Sequence, residues 1–191
     1  MIRLPARLAA LAAVVLVPAA AVAAPAPAWT VDKAASHVTF ASSFSGTGFT
    51  GGFRRWDAAI RFDPKNLAGS SVTATIDTGS AATGSPDRDQ ALPTDTFFAA
   101  GRFPKASFVA TSFKDLGGGR YQAIGTLTIR GVAKPLTLPF TLAITGAQAH
   151  MTAAVAVNRL AYGVGQGEWQ ATEAIPAAVT VSLDLTARRA R

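Results

Sequence analysis

From Gly125 to Thr145 the chain reads GTLTIRGVAKPLTLPFTLAIT, and the alternation in this stretch limits the fold more than any other feature. Leu127 and Ile129 alternate with Thr126, Thr128 and Arg130. Beyond the Arg130-Gly131 break, Leu136, Leu138, Phe140, Leu142 and Ile144 alternate with Thr137, Pro139, Thr141, Ala143 and Thr145. Strand side chains project to opposite faces in turn, so the spacing predicts a β pair with one apolar and one polar face.

The same period recurs along the chain. Val38, Phe40 and Phe44 share one face, as do Trp56, Ala58, Ile60 and Phe62, and then Val72, Ala74 and Ile76. Phe108 and Ala110 follow less cleanly, because Val109 and Phe113 fall on the other face. Tyr121–Ile129 and Lys134–Thr145 come next. Ala149, Met151, Ala153, Val155 and Val157 line the seventh stretch. Ile175 through Leu185 at odd positions line the eighth. Turn chemistry separates them at Asp63-Pro64-Lys65-Asn66, Gly117-Gly118-Gly119, Gly131 and Gly146. Pro139 has no amide hydrogen for a ladder, which places it at a bulge or an unpaired edge.

One segment breaks the period. Ser85–Ala100, SPDRDQALPTDTFFAA, reads as short helix, with Ser85 as N-cap, Pro86 at the first helical position, and Asp87 and Asp89 at the positive end of the dipole. Pro93 splits it, and Phe97 and Phe98 dock it onto the sheet.

Eight antiparallel strands with one apolar face suit a sandwich or a closed barrel. Several stretches run about 10 to 12 residues against a usual 5 or 6, which favours a barrel whose closure removes the edges. Such a barrel either fills with side chains or holds one small ligand. Here Phe, Ile and Leu share the apolar faces with many Ala, too small to fill a lumen. A narrow apolar channel is expected, shaped for a linear lipid tail.

Arg3, Arg7, the apolar run Leu8–Val17 and Ala21-Val22-Ala23 predict a cleaved secretory signal peptide over residues 1–23, with a linker at 24–28. The chain has no cysteine, so no disulfide staples it and its core alone has to stabilise it. The formal charge is +7, but Arg3 and Arg7 belong to the leader and Arg188, Arg189 and Arg191 to a basic tail over 188–191; without these five about +2 is left, too little to argue for nucleic acid. The tail is expected to be solvated and frayed, with at most a weak, transient contact with anionic membrane surfaces.

In order along the chain stand WTVDKAASHVTF, GGFRRWDAAIRFDP, SAATGSPDRDQAL, FPKASF, GTLTIRGVAKPLTLPF and NRLAYGVGQGEW. On these segments together the chain resembles the YceI-like family of periplasmic polyisoprenoid-binding proteins, over residues 29–187. The resemblance implies an all-β fold, an eight-stranded, extended, antiparallel, lipocalin-like β-barrel with one short helical segment. It implies a periplasmic carrier holding a long isoprenoid lipid, of polyprenyl phosphate or quinone type, with no other cofactor and no enzymatic reaction. Whether the barrel forms a homodimer stays open.

The wall residues Phe40, Phe44, Trp56, Ile60, Phe62, Phe108, Leu127 and Phe140, with Phe49 from the glycine-rich SFSGTGFTGGF, are the expected tail contacts. Each reads equally well as core, and in an open barrel the two roles coincide. Arg88, in Asp87-Arg88-Asp89, is either part of a cap and local ion pair or faces a headgroup, where a guanidinium fork suits a diphosphate. Arg159 carries the same headgroup alternative. The GVGQG after it lacks the context of a phosphate loop, so its glycines serve turns and close packing. His37 and His150 are the two histidines, too few for a transition-metal site without cysteine, and no nucleophile elbow accompanies them. Three rivals remain: a membrane-spanning barrel, a mouth-sited hydrolase or isomerase, and a filled, non-enzymatic barrel acting with a membrane redox partner.

Overall fold

The computed structural model of the chain describes residues 24–190; the predicted leader lies outside them. The described residues form eleven strands: β1 (Ala28–Val31), β2 (His37–Phe44), β3 (Thr47–Phe53), β4 (Trp56–Arg61), β5 (Ser71–Asp77), β6 (Ala81–Ala82), β7 (Lys105–Gly117), β8 (Arg120–Ile129), β9 (Val132–Thr145), β10 (Gln148–Asn158) and β11 (Ala178–Arg189). One α-helix, α1 (Pro86–Ala91), stands among the described residues.

All pairings are antiparallel, and the order β1-β4-β5-β7-β8-β9-β10-β11 closes into a ring through β1 on β11. The remaining strands β2, β3 and β6 continue that ring upward. β11 pairs with β1 through Ala187–Arg189 and with β2 through Thr180–Asp184, so β1 and β2 are two halves of one wall strand. β4 pairs with β1 and β3 with β2, so β3 and β4 halve the next. Eleven segments therefore build an eight-stranded barrel, as the periodicity predicts.

Buried hydroxyls carry the hydrogen bonding across the breaks between half-strands. Ser36 Oγ accepts from Thr186 N (2.9 Å) and donates to Thr186 O (3.3 Å) where β1 leaves β11. Ser80 Oγ accepts from Arg55 N (3.0 Å) at the β3/β4 break.

β7 resolves its own irregular pattern. A bulge between Ala110 and Ser112 inserts one residue and reverses the parity beyond it, so Phe108, Ala110 and Phe113 all face inward and Val109 stays outside, 43 % exposed. Gly125 lies under this bulge; a Cβ there would stand 2.1 Å from Val109 O. β3, which the alternation misses, is glycine-rich for a similar reason. The Phe40 ring covers its partner Gly51, where a Cβ would meet the ring at 2.4 Å.

The lower end carries the tight β7–β8 and β9–β10 turns, and the upper end the long connections 78–104 and 159–177. Three boundaries differ from expectation. Within the expected linker 24–28, Ala24 and Pro25 are exposed, but Ala26 is buried with its N–H donating to Gly69 O, and Ala28 already opens β1. Arg188 and Arg189 belong to β11, paired with Thr30 and Trp29, so they form wall and not a frayed tail. Ile175 and Ala177 precede β11 in a loop, because Arg159 holds the carbonyls of Ile175 and Pro176 there.

Candidate functional site: an apolar lumen

The burial pattern shows that the barrel is hollow. Along β10 and β9 the outward residues are exposed, as in any half-solvated sheet, but inward Leu136, Phe140, Leu142, Ile144, Met151 and Val155 are only half-buried. They face an internal cavity of about 250 Å³ whose surface is apolar throughout. Outward positions carry Asp57, Thr126, Thr141, His150, Thr152 and Asp184, all exposed. This greasy-inside, polar-outside order is the reverse of a membrane-spanning barrel.

Aromatic rings close the lower end. Phe62, just past β4, meets Phe113 (5.4 Å), Tyr121 (5.3 Å) and Phe140 (5.8 Å) edge-on, and Tyr121 stacks on Phe140 (5.4 Å). Trp29 Nε1 donates to Phe62 O (2.9 Å). Burial here pushes the Tyr121 hydroxyl upward in pKa, with Asp115 adding to it.

The upper end is closed by backbone held in place by arginines. Arg159 is 4 % exposed. Its guanidinium donates to the carbonyls of Pro176 (3.0 Å), Val164 (3.0 Å), Ala171 (3.4 Å) and Ile175 (2.7 Å), which folds the 159–177 connection over the mouth. Gly165 is obligatory beneath it, since a Cβ would sit 2.2 Å from Nη1 at a backbone φ of +86°. Burial lowers the pKa of this guanidinium. Arg130, in the two-residue β8–β9 turn with a left-handed φ of 50°, donates to Asp95 O (2.7 Å) and to Phe97 O. Thr96 O in turn accepts from Gly165 N and Gln166 N, both at 2.9 Å. The two upper connections are thus stitched to each other.

Of the residues singled out in the sequence, Phe40, Trp56, Ile60, Phe62, Phe108, Leu127, Phe140 and Arg159 line the lumen. Phe44, Phe49 and Arg88 lie outside it, around the mouth. Phe44 is 42 % exposed and packs on Trp169 (6.0 Å). The Arg88 guanidinium covers the Phe49 ring at 4.7 Å, and its Nε donates to Thr83 Oγ1 (3.2 Å). Ser85 occupies the N-cap position without a side-chain bond; Asp89 supplies the turn instead, accepting from Thr83 N (2.6 Å) and Thr83 Oγ1 (2.7 Å). These bonds hold the Asp89 carboxyl below the usual carboxylate range. Phe98 docks on the sheet as expected, against Phe53 (5.9 Å), whereas the Phe97 ring meets Trp169 of the 159–177 connection (6.0 Å).

Trp29, Phe53, Phe98, Phe113 and Val164 also line the cavity and were not among the tail contacts expected from the sequence. Phe113 was hidden by the bulge; Trp29 and Phe53 sit in short strands with no clean alternation. Both histidines are on the outer wall, flanking Asp184: His37 is its register partner and His150 Nε2 lies 2.7 Å from its Oδ1. Among the described residues no group of three or more His, Asp or Glu is placed to hold a metal ion. None of their helices is long and apolar enough to cross a membrane.

A family model described as a YceI-like domain matches residues 29–187. A UPF0312 protein of Yersinia enterocolitica is 35 % identical over 111 residues, covering 56 % of this chain and 57 % of that protein. A UPF0312 protein of Yersinia pestis is 36 % identical over the same span. The matched stretch thus takes in little more than half the length of these relatives. Among solved structures, BcnA of Burkholderia cenocepacia superposes with a TM-score of 0.79 at 32 % identity, over 82 % of this chain and 99 % of its own. A polyisoprenoid binding domain of Saccharophagus degradans, implicated in plant cell wall breakdown, superposes at 0.68 with 18 % identity, over 86 % of this chain and 99 % of its own; at that identity the likeness is one of fold.

Proposed function

Because this chain belongs to the YceI-like domain family, we propose that it is a lipid-binding barrel that carries a long isoprenoid, of polyprenyl phosphate or quinone type, in the periplasm after export. The observation that carries the proposal is the hollow, wholly apolar interior. Burial in it supplies the affinity: at about 0.8 kcal/mol per CH₂, each five-carbon unit gains on the order of 4 kcal/mol before ordering costs. The polyisoprenoid-binding description of one structural neighbour supports the choice of ligand class. The reading also takes the barrel as a binder and not a catalyst, since its histidines lie on the outer wall and the one buried ionised side chain among the described residues, Arg159, is committed to loop carbonyls. The leader-like Arg3–Ala23 segment supports export.

The test is organic extraction and native mass spectrometry of protein isolated from bacterial membrane-containing lysate. Co-purification of a long-chain isoprenoid is the expected result. A barrel that neither retains nor takes up any such lipid overturns the proposal.

A further inference from the structure

The barrel wall has a gap. β9 and β10 are register partners only from Gln148↔Thr145 to Ala153↔Phe140. Above that level β9 continues to Val132 and β10 to Asn158, each still paired on its far side, with β8 and β11 respectively, but not with each other. The ladder stops one residue before Pro139. The β8–β9 register runs unbroken through both Pro135 and Pro139, so the donors that these prolines lack are donors toward β10. Two prolines four residues apart thus strip amide hydrogens from one edge of one strand, over the length that stays unpaired.

Across the unpaired span inward Leu136 and Val155 are half-buried, while Leu138 and Val157 stay buried. Beyond the end of β10 at Asn158, β9 runs on without a neighbour on that side, and Val132 and Lys134 there are exposed. At the foot of the gap a surface groove combines outward Pro139 and Ala154 with inward Tyr121, Phe140 and Ala153, beside exposed Leu116. Phe140 lines both that groove and the lumen. Arg130 bounds the gap above, tying the β8–β9 turn to the mouth segment.

We propose that this window between β9 and β10 is the portal through which an apolar lipid tail passes between membrane and lumen. The inference rests on the carrier reading above. The other two ends are closed, the lower by the Phe62 aromatic cluster and the upper by the Arg159 and Arg130 tethers. The lumen of about 250 Å³ is also below the roughly 300–1,000 Å³ of typical ligand pockets. A long tail therefore has to extend out of it, and the window is the direction in which no ladder has to break.

The chain has no cysteine, so an introduced pair is unique. Thr137→Cys with Ala156→Cys places one thiol on each side of the window, joined after folding by a short bis-maleimide. Thr145→Cys with Gln148→Cys, on the same strands where they are already register partners and away from the groove, is the control. The readout is uptake of dansyl-labelled polyprenol from phosphatidylcholine vesicles. The window cross-link is expected to slow uptake about tenfold against the same variant before linking, and the control cross-link to leave it within about twofold. Pro135→Val with Pro139→Val, which restores both donors without a cross-link, is expected to slow it in the same sense. Uptake as fast with the window linked as unlinked overturns the portal while the carrier reading stands. Failure of the unaltered protein to take up the probe overturns both.

Discussion

The Ser36 hydroxyl stands in for a missing ladder partner, accepting from the N–H of Thr186, whose carbonyl also accepts from Asp32 N (2.8 Å). Ser36→Ala strands a buried donor and should cost about 1–3 kcal/mol in urea unfolding, with lipid uptake by the folded protein unchanged. Arg159 separates two roles that the sequence left open. Arg159→Leu orphans four carbonyls and should lose about 3 kcal/mol or more of stability. A variant that keeps its melting temperature but loses only phosphorylated lipids would show a headgroup role instead. Three carboxyls give the pH dependence: Asp57 is held low chiefly by its bond with Lys33, Asp77 by Arg55 and Asp89 by Thr83. Each is more acidic folded than unfolded, so its contribution is present above the unfolded value near 4 and lost as pH falls through the lowered folded value. Urea midpoints should be level from neutrality to about pH 5 and drop below about pH 4, less steeply in Asp89→Asn.

Elements with uninterrupted alternation were legible: β8, β9 and β10 stand where period two puts them, and β11 does from Val179 onward, because each has one face on a lumen and one in water. Pro139 was legible too, as an edge. What escaped had a physical disguise. The extra residue at Thr111 in β7 reverses its parity, so Phe113 reads as an outward side chain. β3 hides its strand character in glycines, of which Gly51 is required by the Phe40 ring of the neighbouring strand. These close approaches make a graded prediction. Gly125→Ala drives a Cβ into the Val109 carbonyl, which is backbone, whereas Gly51→Ala first meets the Phe40 ring, which can turn into the lumen. Both should destabilise by about 1–3 kcal/mol in chemical unfolding, Gly125→Ala by more. Among the mouth residues, Arg88 and Phe49 were recognised without their mutual stacking, which depends on a helix and a strand distant in sequence.

For the molecule as a whole, hollowness is the property that sequence hinted at through its alanines and structure established through its half-buried walls. Ala74 faces the cavity. Ala74→Phe should occupy that space, lower lipid uptake about tenfold and move the urea midpoint less than Gly125→Ala does, since empty volume absorbs the ring. The strand order also has a loose end. It finishes at β6, two residues long, and α1 rests against it. That short helix acts as a hem on the fabric: strip it away and the bare margin of β6 and β3 becomes a template on which a second copy can knit, so the cost of losing α1 would be polymerisation before it was any loss of cargo.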